Sequence, residues 1–193
     1  MSRCAPRSAV SSKADLFERA ARRNGISVLR VHRRDELVDA IASLAKGGDP
    51  VVLGGELSWL EHHLGRRGLR VVLADETEPV ELLSGPGAVA VRVASGALPE
   101  TGSVLLTGSF RVQLITTLSE RLLVLLDADL LERGIQLGDL LRSAVTSGGP
   151  LYVISGPSST RDIEHLSVIG ATGPREVTCL LVQVGEPWAS IAP

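Results

Sequence analysis

The chain has 193 residues, a formal net charge of −2, and an apolar fraction of 44%. This length suits one domain, which can bury enough surface to need no disulfide or metal for its stability. Basic and acidic residues are interspersed, and no run of one sign could follow a phosphate backbone, so we expect no nucleic-acid partner.

Helices and strands alternate in the first part of the chain. Ser12 is a predicted N-cap, with Asp15 in the position of a capping box, and the helix that it starts reaches about residue 23, with Gly25 just past its end. Strands are predicted at 26–31, 51–53 and 69–74. Helices are predicted at 35–46 and through Leu57, Leu60 and Leu64. This alternation predicts βαβ units with parallel strands.

The second part of the chain is richer in strands. Strands are predicted at 88–94, 103–107, 122–126, 151–154 and 176–184, with a helix at 136–145 and a loop at 75–84. Several of these runs are continuously apolar, as strands buried on both faces are. We therefore predict an α/β fold with a mainly parallel central sheet and helices on both faces. Residues 13–185 are expected to form one domain, between a flexible N-terminus (1–12) and a C-terminal tail (186–193).

The first candidate site is Gly54-Gly55-Glu56, directly after a buried strand and before a helix. Ligands of open α/β sheets sit beyond the carboxyl ends of strands, and a helix N-terminus favours an anion. Glu56 is a candidate catalytic carboxylate, and Gly54 and Gly55 would let the backbone approach a ligand. The alternative is a tight turn in which Glu56 complements the helix dipole.

The second candidate is Glu100-Thr101-Gly102, which precedes the strand at 103–107. Glu100 is a candidate general base, while Thr101 and Gly102 could bind an anionic oxygen. A solvated turn is the alternative.

The third candidate follows the strand at 151–154 and is rich in small hydrogen-bonding groups. A loop of this kind at a strand end can form an anion nest, or it can be a capped, solvated turn. Its candidate ligand-binding residues are Ser155, Gly156, Ser158, Ser159, Thr160, Asp162 and Glu164. Arg175 could add a planar fork for a carboxylate or phosphate. We expect the three segments to converge on one crevice that binds a small anionic metabolite.

Cysteine content bears on location and cofactors. Cys4 and Cys179 are far apart in sequence, which favours a reducing compartment and a cytoplasmic location. An iron–sulfur cluster takes more thiolates than this chain has, so we expect no metal and no cofactor in it. No apolar run is long enough to cross a bilayer, and no signal peptide or membrane insertion is expected.

The second and third segments, together with residues near 170–175, resemble the LUD domain family. This family includes the C-type subunit of bacterial lactate-utilisation systems. The resemblance covers residues 14 to 184 and depends most on Ser155-Gly156-Pro157-Ser158, Thr160, Asp162-Ile163-Glu164, Gly170, Gly173-Pro174-Arg175 and Glu100-Thr101-Gly102-Ser103.

The resemblance implies a fold similar to the sugar-phosphate isomerase, CoA-transferase and formyl-tetrahydrofolate cyclo-ligase group. It also implies a part in oxidising L-lactate, beside partner subunits that hold iron–sulfur clusters. Where the family pattern has histidines, this chain has Leu122 and Thr172, so imidazole chemistry is not expected there.

Two functions from different classes follow. One is the non-cluster subunit of an organic-acid utilisation system that binds a small anion. The other is a free-standing enzyme of the CoA-transferase or cyclo-ligase type that uses Glu56 or Glu100 as nucleophile or base.

Overall fold

A six-stranded sheet in which all pairings are parallel forms the centre of the molecule, in the order β1-β11-β7-β4-β2-β3. The computed structural model describes residues 12–45, 48–75, 87–134, 137–147, 149–161, 167–170 and 173–183. The strands of this sheet are β1 (Ser27–Val31), β2 (Val51–Leu53), β3 (Val71–Leu73), β4 (Val89–Val93), β7 (Arg121–Asp127) and β11 (Glu176–Val182). The prediction of a mainly parallel central sheet is confirmed.

The central strands are buried on both faces, which explains their continuous apolar sequences. On one face Val51, Leu53 and Val91 pack against the residues of α2 (Arg34–Leu44) and α3 (Leu60–Gly65). A single 3₁₀ turn (Gly55–Leu57) joins β2 to α3.

The other face is covered by three helices and a second sheet. The helices are α1 (Lys13–Arg23), α4 (Phe110–Leu118) and α5 (Ala128–Arg133). Residues of α1 and α5 pack on β7 and β11, while α4 packs on Val52 and Ala88. Helices therefore lie on both faces, as predicted.

The second sheet is antiparallel and has the order β5-β6-β8. Its strands are β5 (Gly96–Leu98), β6 (Ser103–Thr107) and β8 (Leu151–Ile154), and α6 (Leu137–Ser147) precedes β8. The sequence predicted β6 and β8 but not their separation from the central sheet. A short apolar run has the same pattern in a parallel and an antiparallel strand, so periodicity alone does not assign the direction.

A small antiparallel hairpin, β9 (Ser159–Arg161) and β10 (Ser167–Ile169), follows β8. The predicted tail and, apart from Ser12, the predicted flexible N-terminus lie outside the described residues. Among the helices of the described ranges, none has the length and apolar character needed to span a membrane.

Candidate functional site

The candidate site is a crevice at the carboxyl edge of the central sheet, where β2 and β4 are neighbours. The chain leaves β2 towards α3 on one face, and it leaves β4 towards the β5–β6 hairpin and α4 on the other. Connections that diverge in this way leave an opening between the two strand ends, where open α/β sheets bind ligands. The opening has a volume of about 520 Å³.

Arg92 is the buried charge of this crevice. It lies in β4 with only 3% of its surface exposed, and its side chain faces α4. Its guanidinium donates to Thr116 Oγ1 at 2.7 Å, to the Thr107 carbonyl at 2.7 Å and to the Val112 carbonyl at 3.4 Å. Its buried Nε has no hydrogen-bond partner.

The charge of Arg92 persists despite this burial. Burial lowers the pKa of the Arg92 guanidinium, while the negative charges of Glu56 and Asp75 act in the opposite direction. A guanidinium starts from so high a pKa that it stays protonated across the physiological range. The crevice therefore presents a cation with one unused donor.

Two carboxylates come from neighbouring strand ends: Glu56 follows β2, and Asp75 follows β3. A Cβ built on Gly54 would be 2.5 Å from a Glu56 oxygen, and one built on Gly55 would be 2.8 Å from an Asp75 oxygen. Glu56 Oε1 is 4.0 Å from Arg92 Nε, and the Glu56 side chain is about half exposed (48%). Both carboxylates line the crevice, and both are too far from Arg92 Nε to hydrogen-bond to it.

Hydroxyl groups and a helix N-terminus form the opposite wall. Ser95 Oγ and Thr107 Oγ1 are 2.6 Å apart. Ser109 caps α4 by accepting from the Val112 N–H, and the first N–H groups of a helix have no partner inside it. Gly108 keeps this wall open, because a Cβ there would lie 3.0 Å from an Arg92 Nη atom.

This arrangement suits a small anion. The buried Nε and the start of α4 both attract negative charge, and water is partly excluded around the guanidinium. The hydroxyls of Ser95 and Ser109 can complete the hydrogen bonding of a carboxylate or phosphate.

Several of the other predicted residues form a different cluster, at the amino edge of the central sheet. Hydrogen bonds of 2.8 Å link the hydroxyls of Thr101, Ser103 and Ser155 in a row. The Ser158 N–H donates to the Pro174 carbonyl, just before β11 begins. The prediction that all three segments converge on one crevice is therefore wrong.

The reason is the direction of β8. This strand runs antiparallel to β6, so its last residue, Ile154, pairs beside the start of β6 and not beside the end. Thr107, at the end of β6, belongs to the crevice, and Ser103, at its start, belongs to the amino-edge cluster. The length of β6, roughly 13 Å, separates the two groups.

Close packing explains most glycines of the amino-edge segments. A Cβ on Gly156 would lie within 2.4 Å of the Asn24 carbonyl oxygen, and one on Gly173 would lie 3.2 Å from Ser158 Cβ. A Cβ on Gly170 would collide with the Arg175 side chain. The segments that carry the sequence signature therefore pack against the residues just before β1 and just before β11.

Two charged candidates of these segments, Glu100 and Arg175, are not among the residues that line the crevice. Glu100 is exposed at the β5–β6 turn, and Arg175 is exposed with its nearest described carboxylate, Glu120, 4.0 Å away. Ser159 and Thr160 lie in β9, where Ser159 is exposed. Asp162, Glu164 and Thr172 lie outside the described residues.

Leu122, which takes the place of an expected family histidine, is fully buried in the apolar core of β7. Within the described ranges, no three His, Cys, Asp or Glu side chains are grouped so that they could hold a metal ion.

Sequence reasoning missed Arg92 although the sequence carried a signal for it. The run Val89-Ala90-Val91-Arg92-Val93 is a strand buried on both faces that contains one charged residue. A buried charge is costly unless it is paired or used, so an arginine inside such a run is a candidate for function.

The fold and the crevice define an α/β protein with a potential anion site at the carboxyl edge of its sheet. Residues 14–182 match the family model of the LUD domain, and the chain belongs to the LUD domain family.

Two known proteins are similar to the chain. It is 30% identical over 148 residues to the uncharacterised protein YkgG of Escherichia coli (strain K12). This match covers 71% of the chain and 64% of the relative, so the chain spans less than two thirds of that protein. A DUF162 family protein from Deinococcus radiodurans has the same fold, with a TM-score of 0.63, 18% identity, and coverage of 89% of this chain and 99% of that one.

Proposed function

We propose that this chain is the non-cluster subunit of a cytoplasmic L-lactate or related organic-acid utilisation system, and that it binds a small anionic metabolite in the crevice at the ends of β2 and β4. One observation carries the binding proposal: Arg92 is almost fully buried there, and its Nε donor is unused. Membership of the LUD domain family supports the metabolic role. We also propose that the fold is similar to that of the CoA-transferase group, as the resemblance to the family implies.

Binding is tested by the shift in melting temperature with lactate, pyruvate, phosphate and CoA. A one-site ligand at about 100 times its dissociation constant stabilises the folded state by roughly 2.7 kcal/mol. We expect a shift with at least one of these anions, and an equal shift in the Arg175→Ala and Ser158→Ala variants, because both residues lie at the amino edge. Loss of the shift in these variants would instead locate the ligand in the amino-edge cluster.

The partner part of the proposal concerns iron–sulfur oxidase subunits. Because the chain has only two cysteines, we expect the purified chain alone to be colourless and free of iron. The chain isolated from its native cells by an affinity tag should bring iron and acid-labile sulfide with it. Stoichiometric iron in the chain purified alone, under anaerobic conditions, would contradict this division of roles.

A transferase of the CoA-transferase type is the second candidate, and the position of Glu56 favours it. Glu56 lines the crevice, as a nucleophilic carboxylate must, whereas Glu100 does not. The test is turnover of acyl-CoA esters, with folates as a parallel series for the cyclo-ligase alternative. Turnover that disappears in Glu56→Gln would establish the enzyme, and anion binding without turnover would favour the binding subunit.

A further inference from the structure

The charges that line the crevice are unequal in number. Among the described residues that line the crevice, Arg92 carries a positive charge, whereas Glu56 and Asp75 each carry a carboxylate. An anion that reaches Arg92 therefore enters the field of two negative groups as well as one positive group. An anion made only of acceptor atoms gains from the guanidinium and loses to the carboxylates.

The positions of these groups define what a ligand meets. Arg92 lies deep in the crevice under α4, and Glu56 Oε1 is 4.0 Å from Arg92 Nε. This separation is too long for a hydrogen bond. Nε is itself buried, so a ligand oxygen attracted by the guanidinium charge lies on the crevice side of Arg92, with its neighbouring atoms beside the Glu56 carboxylate.

An ionised carboxylate accepts hydrogen bonds and donates none. It repels a neighbouring carbonyl or carboxylate oxygen, but it stabilises a hydroxyl or ammonium group by a charge-assisted hydrogen bond. Glu56 is about half exposed and rests on Gly54 without a side chain between them, so it is placed to turn towards such a donor.

We infer that the crevice selects acids that carry a hydrogen-bond donor, a hydroxyl or ammonium group, on the carbon next to the carboxylate, and that Glu56 is the residue that makes this selection. The inference rests on the proposed function, because it concerns the same crevice and the same Arg92. Asp75, which follows β3, is exposed and also lines the crevice, where it adds to the negative potential of Glu56.

Four acids with the same carbon skeleton test this inference by calorimetry. Lactate carries a hydroxyl and alanine an ammonium, pyruvate carries only an acceptor, and propionate carries neither. We expect at least one of the two donor-bearing acids to bind about tenfold more tightly than pyruvate and propionate. The comparison of lactate with alanine shows which donor is preferred.

The variants of Glu56 provide the decisive comparison. Glu56→Gln keeps the shape and one acceptor but loses the charge, and Glu56→Ala removes the group. The ratio of the affinity for the donor-bearing acid to the affinity for propionate should fall from the wild type through Glu56→Gln to Glu56→Ala. The affinity for propionate itself should rise a few-fold, because the repulsion by Glu56 disappears. Glu61→Ala, an exposed carboxylate on α3, is the matched control and should change neither affinity.

The outcomes separate this inference from the proposed function. If Glu56→Ala changes the affinities for the donor-bearing acid and propionate by the same factor, while an Arg92 variant loses both, the anion site stands and the selection by Glu56 is refuted. If the wild type binds none of the four acids, the selection and the proposed binding of a small organic acid both fail.

Discussion

The Arg92→Met variant should bind small anions about a hundredfold more weakly than the wild type, with little loss of stability. Truncating one partner of a buried charge-assisted contact costs roughly 2–5 kcal/mol of binding, and a hundredfold change, about 2.7 kcal/mol, lies in the lower part of this range. Methionine has a similar length and fills irregular apolar space, so it can replace the stem of Arg92 beneath α4.

Stability should respond differently because two effects oppose each other. Three acceptors lose a donor, but the Thr116 hydroxyl still donates to the Val112 carbonyl, so the main loss is at the Thr107 carbonyl and costs about 1 kcal/mol. In return, the fold no longer has to bury a charge with an unused Nε. Apolar replacements of buried ions are often neutral or stabilising, so the unfolding free energy should change by no more than about 1 kcal/mol.

Calorimetric titration and urea unfolding of the same samples measure the two quantities. Arg92→Lys is the companion variant: it keeps the charge but loses the planar fork, and we expect partial binding. A large loss of stability in Arg92→Met, together with unchanged anion affinity, would show that Arg92 is a structural residue only.

The second large effect concerns Gly102, which we expect to be far more sensitive to alanine than other glycines of similar backbone conformation. Gly102 has a φ of +66° and is buried against α1. A Cβ at this position would overlap the backbone nitrogen of Ala21. Ala21 lies in the last turn of α1, where its carbonyl accepts from the Asn24 and Ile26 N–H groups, so this backbone has little freedom to move away.

Gly68 separates the cost of a positive φ from the cost of the collision with α1. Its φ is +78°, close to that of Gly102, but nothing lies within 4 Å of a Cβ built on it. Gly68→Ala should therefore cost only the conformational penalty, about 1 kcal/mol. Gly102→Ala adds the collision with α1 and should cost about 3 kcal/mol or more, a melting-temperature decrease of roughly 10 °C.

Thermal and denaturant unfolding of both variants measure this difference. Equal losses in Gly68→Ala and Gly102→Ala would mean that the β5–β6 turn can move away from α1. A selective loss at Gly102 would show that this position requires glycine because the β5–β6 turn fits tightly against α1.

Local sequence signals predicted the elements whose ends have a clear chemical marker. Ser12 caps α1 by accepting from the Asp15 N–H, and Gly25 follows the end of this helix with a φ of +82°. Both signals depend on residues only a few positions apart, so the local sequence is enough to predict where this helix begins and ends.

The helix α4 shows where such signals fail. It is rich in β-branched residues, and two of its polar residues, Gln113 and Thr116, are buried beneath it. This composition lacks an apolar stripe of helical period, so periodicity did not identify the helix that forms one wall of the crevice.

The sequence by itself determined the class of the fold, because continuous apolar strands that alternate with amphipathic helices have few other solutions than a covered parallel sheet. It also placed Gly54-Gly55-Glu56 at a strand end, where Glu56 lines the crevice. The partners of Glu56 were decided only by the tertiary structure. Arg92 and Ser109 reach the same crevice because β4 lies beside β2 and the β5–β6 hairpin returns the chain to this edge. The antiparallel direction of β8 takes Ser155 to the opposite edge. Pairing and direction of strands depend on contacts between distant parts of the chain, and no local pattern of residues encodes them.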